Sequence, residues 1–280
     1  EITNRFHFSV LTSGFTAVTN SMLLSLLEET QRLISIDMIQ MLRYPDFFET
    51  GYRFKWDKDV SHYLDKVADK DEAGKLRGLC HRIVRAMVDI YRLKSKHELV
   101  DQIQKNIDLI RGSYSGEKNP PDIQRLKGML REYEEELVWA HYGVPVRNIE
   151  HLRLGFYTGD IFTQQPDRHR DVEPILQCLR RIQPNVISLA FDPEGSGPDT
   201  HYKVLQAIAE ALRQWSQEKD LSELRVIGYR NVWFRFLPSE ANVFVPVSLN
   251  SMAVLGQSFR DCYVSQVNAS FPSPAYDGPF

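Results

Sequence analysis

The stretch Asn185-Val186-Ile187-Ser188-Leu189-Ala190-Phe191, followed by Asp192-Pro193-Glu194-Gly195-Ser196-Gly197-Pro198-Asp199-Thr200-His201-Tyr202-Lys203, decides the fold. Its first part is an apolar run of strand length, and its end opens an amphipathic helix that continues to about residue 217. In open α/β sheets such a strand-to-helix loop lies at the carboxyl edge of the sheet, where ligands usually bind. The loop is therefore the best site candidate in the chain.

The same alternation of strand and helix extends to both sides of this stretch. Apolar runs predict strands at about 5–11, 149–154, 224–234 and 242–247, and helical periodicity predicts helices at about 21–43, 171–182, 200–217 and 248–267. Strands separated by helices predict an α/β fold with a mostly parallel, Rossmann-like sheet and helices on both faces. Residues 46–147 are charged, helical and without a strand signal. We interpret them as a helical insertion or cap within a single domain over 1–280.

The composition argues against two classes of protein, nucleic-acid-binding and membrane-spanning. A net charge of −3 argues against a nucleic-acid-binding protein, which normally carries an excess of basic residues. No apolar run approaches the roughly 18 to 20 residues of a membrane span. Three widely spaced cysteines without a CxxC pair indicate buried structural cysteines and a reducing cytoplasm. The sequence leaves a homo-oligomer open.

His201 is the candidate functional residue of the loop that follows Phe191. The glycines there form no dinucleotide fingerprint, because Thr200 stands where the third glycine belongs, and no Walker lysine follows. One interpretation is that His201 is a metal ligand. Asp199 or Asp192 would then either hydrogen-bond to this histidine or carry a proton. The alternative is that Asp199 or Thr200 caps the helix and His201 lies on the surface.

Two further segments follow predicted strands. Thr12, Ser13 and Gly14 either hydrogen-bond a polar ligand such as a sugar, or form only a turn and a helix cap. Arg230, between Tyr229 and Trp233, suits binding of a sugar ring or an anion, and the alternative is a stacked structural arginine.

Three segments together, Leu11-Thr12-Ser13-Gly14, Leu154-Gly155-Phe156-Tyr157-Thr158-Gly159 and Asp192 to His201, resemble the LmbE/PIG-L family of zinc-dependent N-deacetylases. The likeness is greatest to the PIG-L-type domain that some bacterial proteins carry behind a glucosamine-6-phosphate deaminase domain. The resemblance implies a zinc ion held by His201 and by two ligands from an early His-Pro-Asp-Asp loop. No such tetrapeptide occurs in the chain, so the resemblance places that loop, its catalytic Asp and its strand upstream of residue 1.

The resemblance also implies roles for the other candidates. Asp199 and Asp192 would assist the chemistry, although Pro198 stands where the family has a second histidine. The sugar would be held by Thr12, Ser13, Gly14 and Arg230. We therefore expect an N-deacetylase-like domain for an N-acetylglucosamine-type substrate, which as given binds zinc weakly and has little activity. The alternatives are a non-catalytic sugar-binding or interaction domain with a decayed metal site, and an accessory domain of a glucosamine-6-phosphate deaminase with Arg230 on a phosphate.

Overall fold

A computed structural model describes residues 4–51, 56–114, 116–160, 162–192, 199–230 and 235–267. The helices are α1 (Asn20–Ser35), α2 (Trp56–Ala68), α3 (Glu72–Tyr91), α4 (Lys96–Gly112), α5 (Pro121–His141), α6 (Glu173–Ile182), α7 (Asp199–Trp215) and α8 (Leu249–Cys262). The strands are β1 (Phe8–Val10), β2 (Ile149–His151), β3 (Val186–Ala190) and β4 (Arg225–Tyr229). None of the described helices is long and apolar enough to cross a membrane.

The strands confirm the predicted α/β class and parallel pairing. β1 pairs with β2, with Phe8 opposite Ile149, and β3 pairs with β4, with Val186 opposite Arg225. Helices α1 to α5 connect the first pair, and α7 connects the second. Over the described ranges these strands form two two-stranded parallel sheets.

Helices α1 to α5 pack around one apolar centre, which we call the helical core. Its buried side chains include Leu27 of α1, Met87 of α3, Leu99 of α4 and Tyr133 of α5, and Cys262 of α8 joins them. The helices of the predicted block 46–147 thus share this core with α1, which precedes the block, and with α8, which follows it. Whether this block is an insertion within one domain stays a prediction.

The first helix is shorter than its periodicity predicts. Thr19 begins it by accepting the Met22 N–H at 3.1 Å, which is an ordinary N-cap contact. It ends at Ser35 instead of Arg43, because Asp37 takes a left-handed conformation with φ 57°. A short 3₁₀ turn, Gln40–Arg43, follows and carries Met41 and Leu42. The prediction of one helix to Arg43 was therefore wrong.

A second apolar cluster, the sheet core, lies where α6 and α7 cover the strands. It comprises Leu154, Phe156, Val172, Ile175, Leu176, Leu179, Ala207, Ala211 and Trp215, with Leu11, Leu152 and Ile187 packed against it. Strand residues from both sheets therefore contact the same layer of helices.

Two predictions near the C-terminus need correction, and one is confirmed. Residues 242–247 are irregular rather than a strand, since no described strand pairs with them and Pro246 lacks an N–H. Helix α8 ends at Cys262 rather than at 267. All three cysteines are buried thiols, and burial raises the pKa of Cys80 to about 11 and that of Cys262 to about 12. Their burial is as expected for structural cysteines.

Candidate functional site

Asp192 and His201 form the centre of the candidate site. The Phe191 N–H donates to the Tyr229 carbonyl at 2.7 Å, so pairing continues past β3 and places Asp192 at the carboxyl edge. His201 lies in the first turn of α7, and its Nδ1 is 2.9 Å from Asp192 Oδ2. The Asp192 side chain is 1% exposed and that of His201 is 33% exposed. A buried carboxylate therefore holds a solvent-reachable imidazole.

This arrangement orients the imidazole ring. When neutral His201 donates its Nδ1–H to Asp192, the Nε2 lone pair points away from the carboxylate. The pair can thus transfer a proton to or from a ligand, and the same nitrogen can bind a metal.

Asp199 has other partners. Its Oδ2 accepts hydrogen bonds from Thr163 Oγ1 and Lys203 Nζ, both at 2.6 Å. The buried Lys203 also donates to the Thr163 carbonyl at 2.7 Å. Hydrogen bonds from Lys203 and then Thr163 lower the pKa of Asp199. These contacts fasten residues 162–163 to the start of α7. Of the two acids that the sequence offered to His201, the structure pairs it with Asp192.

Tyr229 ends β4 near Asp192, and Arg230 follows it in the chain. Partial burial, then the charges of Asp192 and Glu135, raises the pKa of Tyr229. The Arg230 guanidinium carbon lies 4.9 Å from the centre of the Phe236 ring. Its Nε is buried and has no hydrogen-bond partner among the described residues. Both alternatives for Arg230 stay open, since its guanidinium lies near the Phe236 ring and its Nε has no partner within the described ranges. Trp233, its predicted neighbour, lies outside the described residues.

Thr12, Ser13 and Gly14 follow β1, and Ser13 and Gly14 lie against α5. Gly14 has φ 60°, and Gly128 permits a close approach, because a Cβ there would lie 3.1 Å from the Ser13 Cβ. Ser13 lines a cleft of about 190 Å³ together with Phe15, Gln124, Arg125, Glu132 and Arg153. Neither Asp192 nor His201 lines this cleft. Thr12, the residue before Ser13, is half-buried.

The loop after β1 contacts the loop 154–159, which is the second segment of the family resemblance. Thr16 Oγ1 and Tyr157 Oη are 2.6 Å apart. Gly159 has φ 71°, and a Cβ at this position would come within 2.7 Å of the Phe15 ring. A side chain at 159 would therefore separate the two loops. The third segment is only partly described, since residues 193–198 lie outside the described ranges.

Sequence reasoning missed the residues that fasten these loops. The carboxylate of Asp171 is fully buried and accepts the Phe156 N–H at 3.1 Å and the Asp167 N–H at 2.8 Å. The spacing of Asp199 and Lys203, four residues apart on one helix, could have indicated their ion pair. Thr163 and Asp171 gave no local signal, because their partners are set by the path of the loop.

The described residues do not complete a metal centre. Within the described ranges no group of three His, Cys, Asp or Glu side chains could hold an ion. The Asp192–His201 pair contributes one carboxylate and one imidazole, so by itself it is not a three-ligand site. The expected zinc site would need donors from outside the described ranges, and it stays a prediction.

Comparison with known proteins gives one partial likeness. A putative glucosamine-6-phosphate deaminase-like protein from Bacteroides thetaiotaomicron is 28% identical over 138 residues, which is 48% of this chain. The match covers 20% of that protein, so it concerns a minor part of its length. No family model matches the chain, and no solved structure matches it significantly. The chain is thus similar in part to a protein of the amino-sugar-related class.

Proposed function

We propose that the chain is an amino-sugar-processing module whose reaction centre is His201 with Asp192. The observation that carries the proposal is the 2.9 Å contact between a buried carboxylate and a partly exposed imidazole at the carboxyl edge of β3. Ligands of parallel α/β sheets bind at this edge. The similarity to a glucosamine-6-phosphate deaminase-like protein supports an amino sugar as the ligand.

The finer proposal is hydrolysis of the N-acyl bond of such a sugar. His201 Nε2 takes a proton from water while the water oxygen attacks the acyl carbon. The same nitrogen then gives the proton to the leaving sugar nitrogen as the C–N bond breaks. The products are a free amino sugar and a carboxylic acid. Asp192 holds the ring and stabilises the imidazolium between the two transfers.

Zinc would use the same His201 nitrogen, so metal binding and proton transfer at Nε2 exclude each other. The described residues do not fit a three-ligand zinc site. We therefore derive no step through the metal and expect weak zinc binding by the 280-residue chain. Stoichiometric, tightly bound zinc in the purified chain would contradict this expectation.

The test compares two His–Asp pairs in the same chain. We would measure release of acetate from N-acetylglucosamine and its 6-phosphate, and binding of both sugars and of glucosamine 6-phosphate by NMR. His201→Gln and Asp192→Asn should each lower acetate release at least about 10-fold, or weaken binding where release is absent. The matched control is His97→Gln, because the exposed His97 pairs with Asp101 at 3.2 Å on α4.

Three outcomes separate the proposals. Equal loss in the His97 and His201 variants, or no saturable binding of any of the sugars, would overturn the amino-sugar proposal. Saturable binding that depends on His201, without acetate release, would favour the non-catalytic sugar-binding alternative. Acetate release that depends on His201 would support hydrolysis.

A second candidate is an accessory role in a glucosamine-6-phosphate deaminase, with Arg230 on the phosphate. The observation in its favour is the buried Arg230 Nε without a hydrogen-bond partner among the described residues. Arg230→Met should then remove any preference for glucosamine 6-phosphate over glucosamine. Arg213→Met, which removes a surface arginine paired with Glu210, is the control. A preference that survives in Arg230→Met would contradict this role.

A further inference from the structure

Arg153, the second residue after β2, lies at an irregularity of the strand pairing. The Leu152 N–H donates to the Val10 carbonyl at 2.9 Å, and the Leu154 N–H donates to the Leu11 carbonyl at 2.8 Å. A step of two residues on one segment thus faces a step of one on the other, which makes Arg153 the extra residue of a β-bulge. Its φ of 52° is a left-handed conformation that is unfavourable for residues other than glycine. Bulges re-aim a side chain and are frequent beside functional sites.

Glu132 of α5 holds the guanidinium of Arg153 in one orientation. Arg153 Nε donates to Glu132 Oε1 at 2.6 Å and Nη2 donates to Oε2 at 2.8 Å, and the Glu132 side chain is 5% exposed. Two parallel hydrogen bonds to a carboxylate fix the plane of a guanidinium. The third nitrogen, Nη1, has no hydrogen-bond partner among the described residues. Arg153 therefore offers an oriented donor that the fold does not use.

Both residues line the cleft of about 190 Å³ that also contains Ser13 and Arg125. Arg125 Nη2 donates to Asp89 Oδ2 at 3.2 Å, and its Nε and Nη1 have no partner within the described ranges. The charged side chains that line the cleft, within those ranges, are two arginines and one glutamate. The cleft therefore has a net positive charge and free guanidinium donors, which suit an anion.

The cleft also has apolar walls. Phe15 and Met129 line it, and they are 8% and 5% exposed. Its volume is below the roughly 300 to 1,000 Å³ of sites for drug-sized ligands, so the ligand that fits is small. Apolar walls beside guanidinium groups favour an anion with a hydrocarbon part over an inorganic anion.

We propose that this cleft binds a small organic acid. The carboxylate accepts hydrogen bonds from Arg153 Nη1 and from Arg125, and the short hydrocarbon chain lies against Phe15 and Met129. Neither Asp192 nor His201 lines the cleft. The site is thus separate from the proposed reaction centre, and its ligand is independent of the reaction proposed there.

Butyrate is the probe, and acetate and inorganic phosphate are the comparison anions, all at one ionic strength set with sodium chloride. NMR titration of the labelled chain should show saturable shifts of the Ser13, Gly128 and Met129 amides. Butyrate should bind about 10-fold more tightly than acetate, because two further CH₂ groups are buried. Phosphate should bind more weakly than butyrate, because it leaves the apolar walls uncovered.

Two variants test the guanidinium donors. Arg125→Met should weaken butyrate binding about 10-fold, because it removes a charged hydrogen-bond donor. The matched control is Arg92→Met, since Arg92 pairs with the same Asp89 at 3.1 Å but does not line the cleft. Arg153→Lys keeps a positive charge beside Glu132 without the forked guanidinium, and it should weaken binding by a similar factor. Arg125→Met decides the question if Arg153→Lys does not fold, because Asp89 keeps Arg92 as a partner.

Three results would overturn the proposal. The first is butyrate binding that does not saturate or that is no tighter than phosphate binding. The second is equal weakening in Arg92→Met and Arg125→Met, which would assign the effect to general surface charge. The third is a set of butyrate shifts centred on the Asp192 and His201 amides, which would assign the acid to the reaction centre. Sugar binding is measured separately, so its failure leaves these results interpretable.

Discussion

Apolar side chains are buried in the helical core and exposed in the segment that follows β4. Leu99 and Met87 of the helical core are fully buried. In the segment after β4, Phe244 is 71% exposed and Leu249, the first residue of α8, is 88% exposed. The helices α1 to α5 close around one another, whereas β3, β4 and the segment after them leave apolar surface open.

The difference follows from what each kind of element needs. A helix satisfies its own backbone hydrogen bonds, so five helices with apolar stripes can enclose a core by themselves. Parallel sheets normally have helices over both faces. The helices α1 to α5 therefore enclose their own core, whereas the described strands leave part of their apolar surface exposed.

The largest expected effect lies in a buried ion pair of the helical core. Glu136 Oε2 accepts a hydrogen bond from Arg82 at 2.6 Å, and His151 Nε2 lies 3.3 Å from Glu136 Oε1. Burial alone would raise the pKa of Glu136, but Arg82 and His151 outweigh it and the pKa is lowered. Glu136→Gln should cost about 4 kcal/mol, because it leaves a buried guanidinium without this carboxylate.

Urea denaturation measures this loss. The control is Glu29→Gln, which removes an exposed partner of Arg32 and should change the midpoint little. A loss below about 1 kcal/mol for Glu136→Gln would show that water reaches the pair, and the helical core would then not be closed.

A matched pair of leucines contrasts the two regions directly. Leu99→Ala creates a cavity in the helical core and should cost about 3 kcal/mol. Leu249→Ala removes a side chain that is 88% exposed and should change stability by less than about 0.5 kcal/mol. Urea midpoints of the two variants provide the comparison.

His81 gives the helical core a pH dependence. Burial first, then the charges of His62, Arg85 and Arg77, lowers the pKa of His81 to about 4. The unfolded chain binds this proton near pH 6.5, so between pH 6.5 and 4 the unfolded state holds more protons and stability falls as pH falls. The loss from His81 between pH 7 and 4.5 should be roughly 2 to 3 kcal/mol.

A comparison of wild type with a variant that lacks His81 separates the pH dependence due to His81 from that due to the carboxylates. Urea unfolding of wild type and His81→Gln at pH 7, 6, 5 and 4.5 gives the difference in pH dependence. Identical curves for both proteins would contradict a neutral, buried His81.

Some elements of the structure could be predicted from the sequence alone and others could not. The prediction that residues 46–147 are helical was confirmed for helices such as α4, in which Leu99, Ile103 and Ile107 form one buried stripe, because such a stripe against one core is a local property. The end of α1 was missed, since Met38 and Ile39 continue the apolar pattern through the break at Asp37. The 242–247 segment has a strand-like composition, but pairing depends on a distant neighbour. The loop alone made His201 a candidate site residue. Its pairing with Asp192 instead of Asp199 depends on the direction of two backbone segments, which the local sequence does not specify.

A small effect on stability is expected at Asp199, whose carboxylate is exposed at the start of α7. Asp199→Asn weakens the contacts to Lys203 and Thr163 and, because its carboxylate is more than half exposed, should cost less than about 1 kcal/mol. A double-mutant cycle with Lys203→Met, followed by urea midpoints, measures the coupling of the two side chains. Coupling above about 2 kcal/mol would mean that this contact is a buried support of α7. If Asp199→Asn keeps its stability but loses acetate release, the predicted catalytic role of Asp199 gains support, because its contribution is then to the reaction and not to the fold.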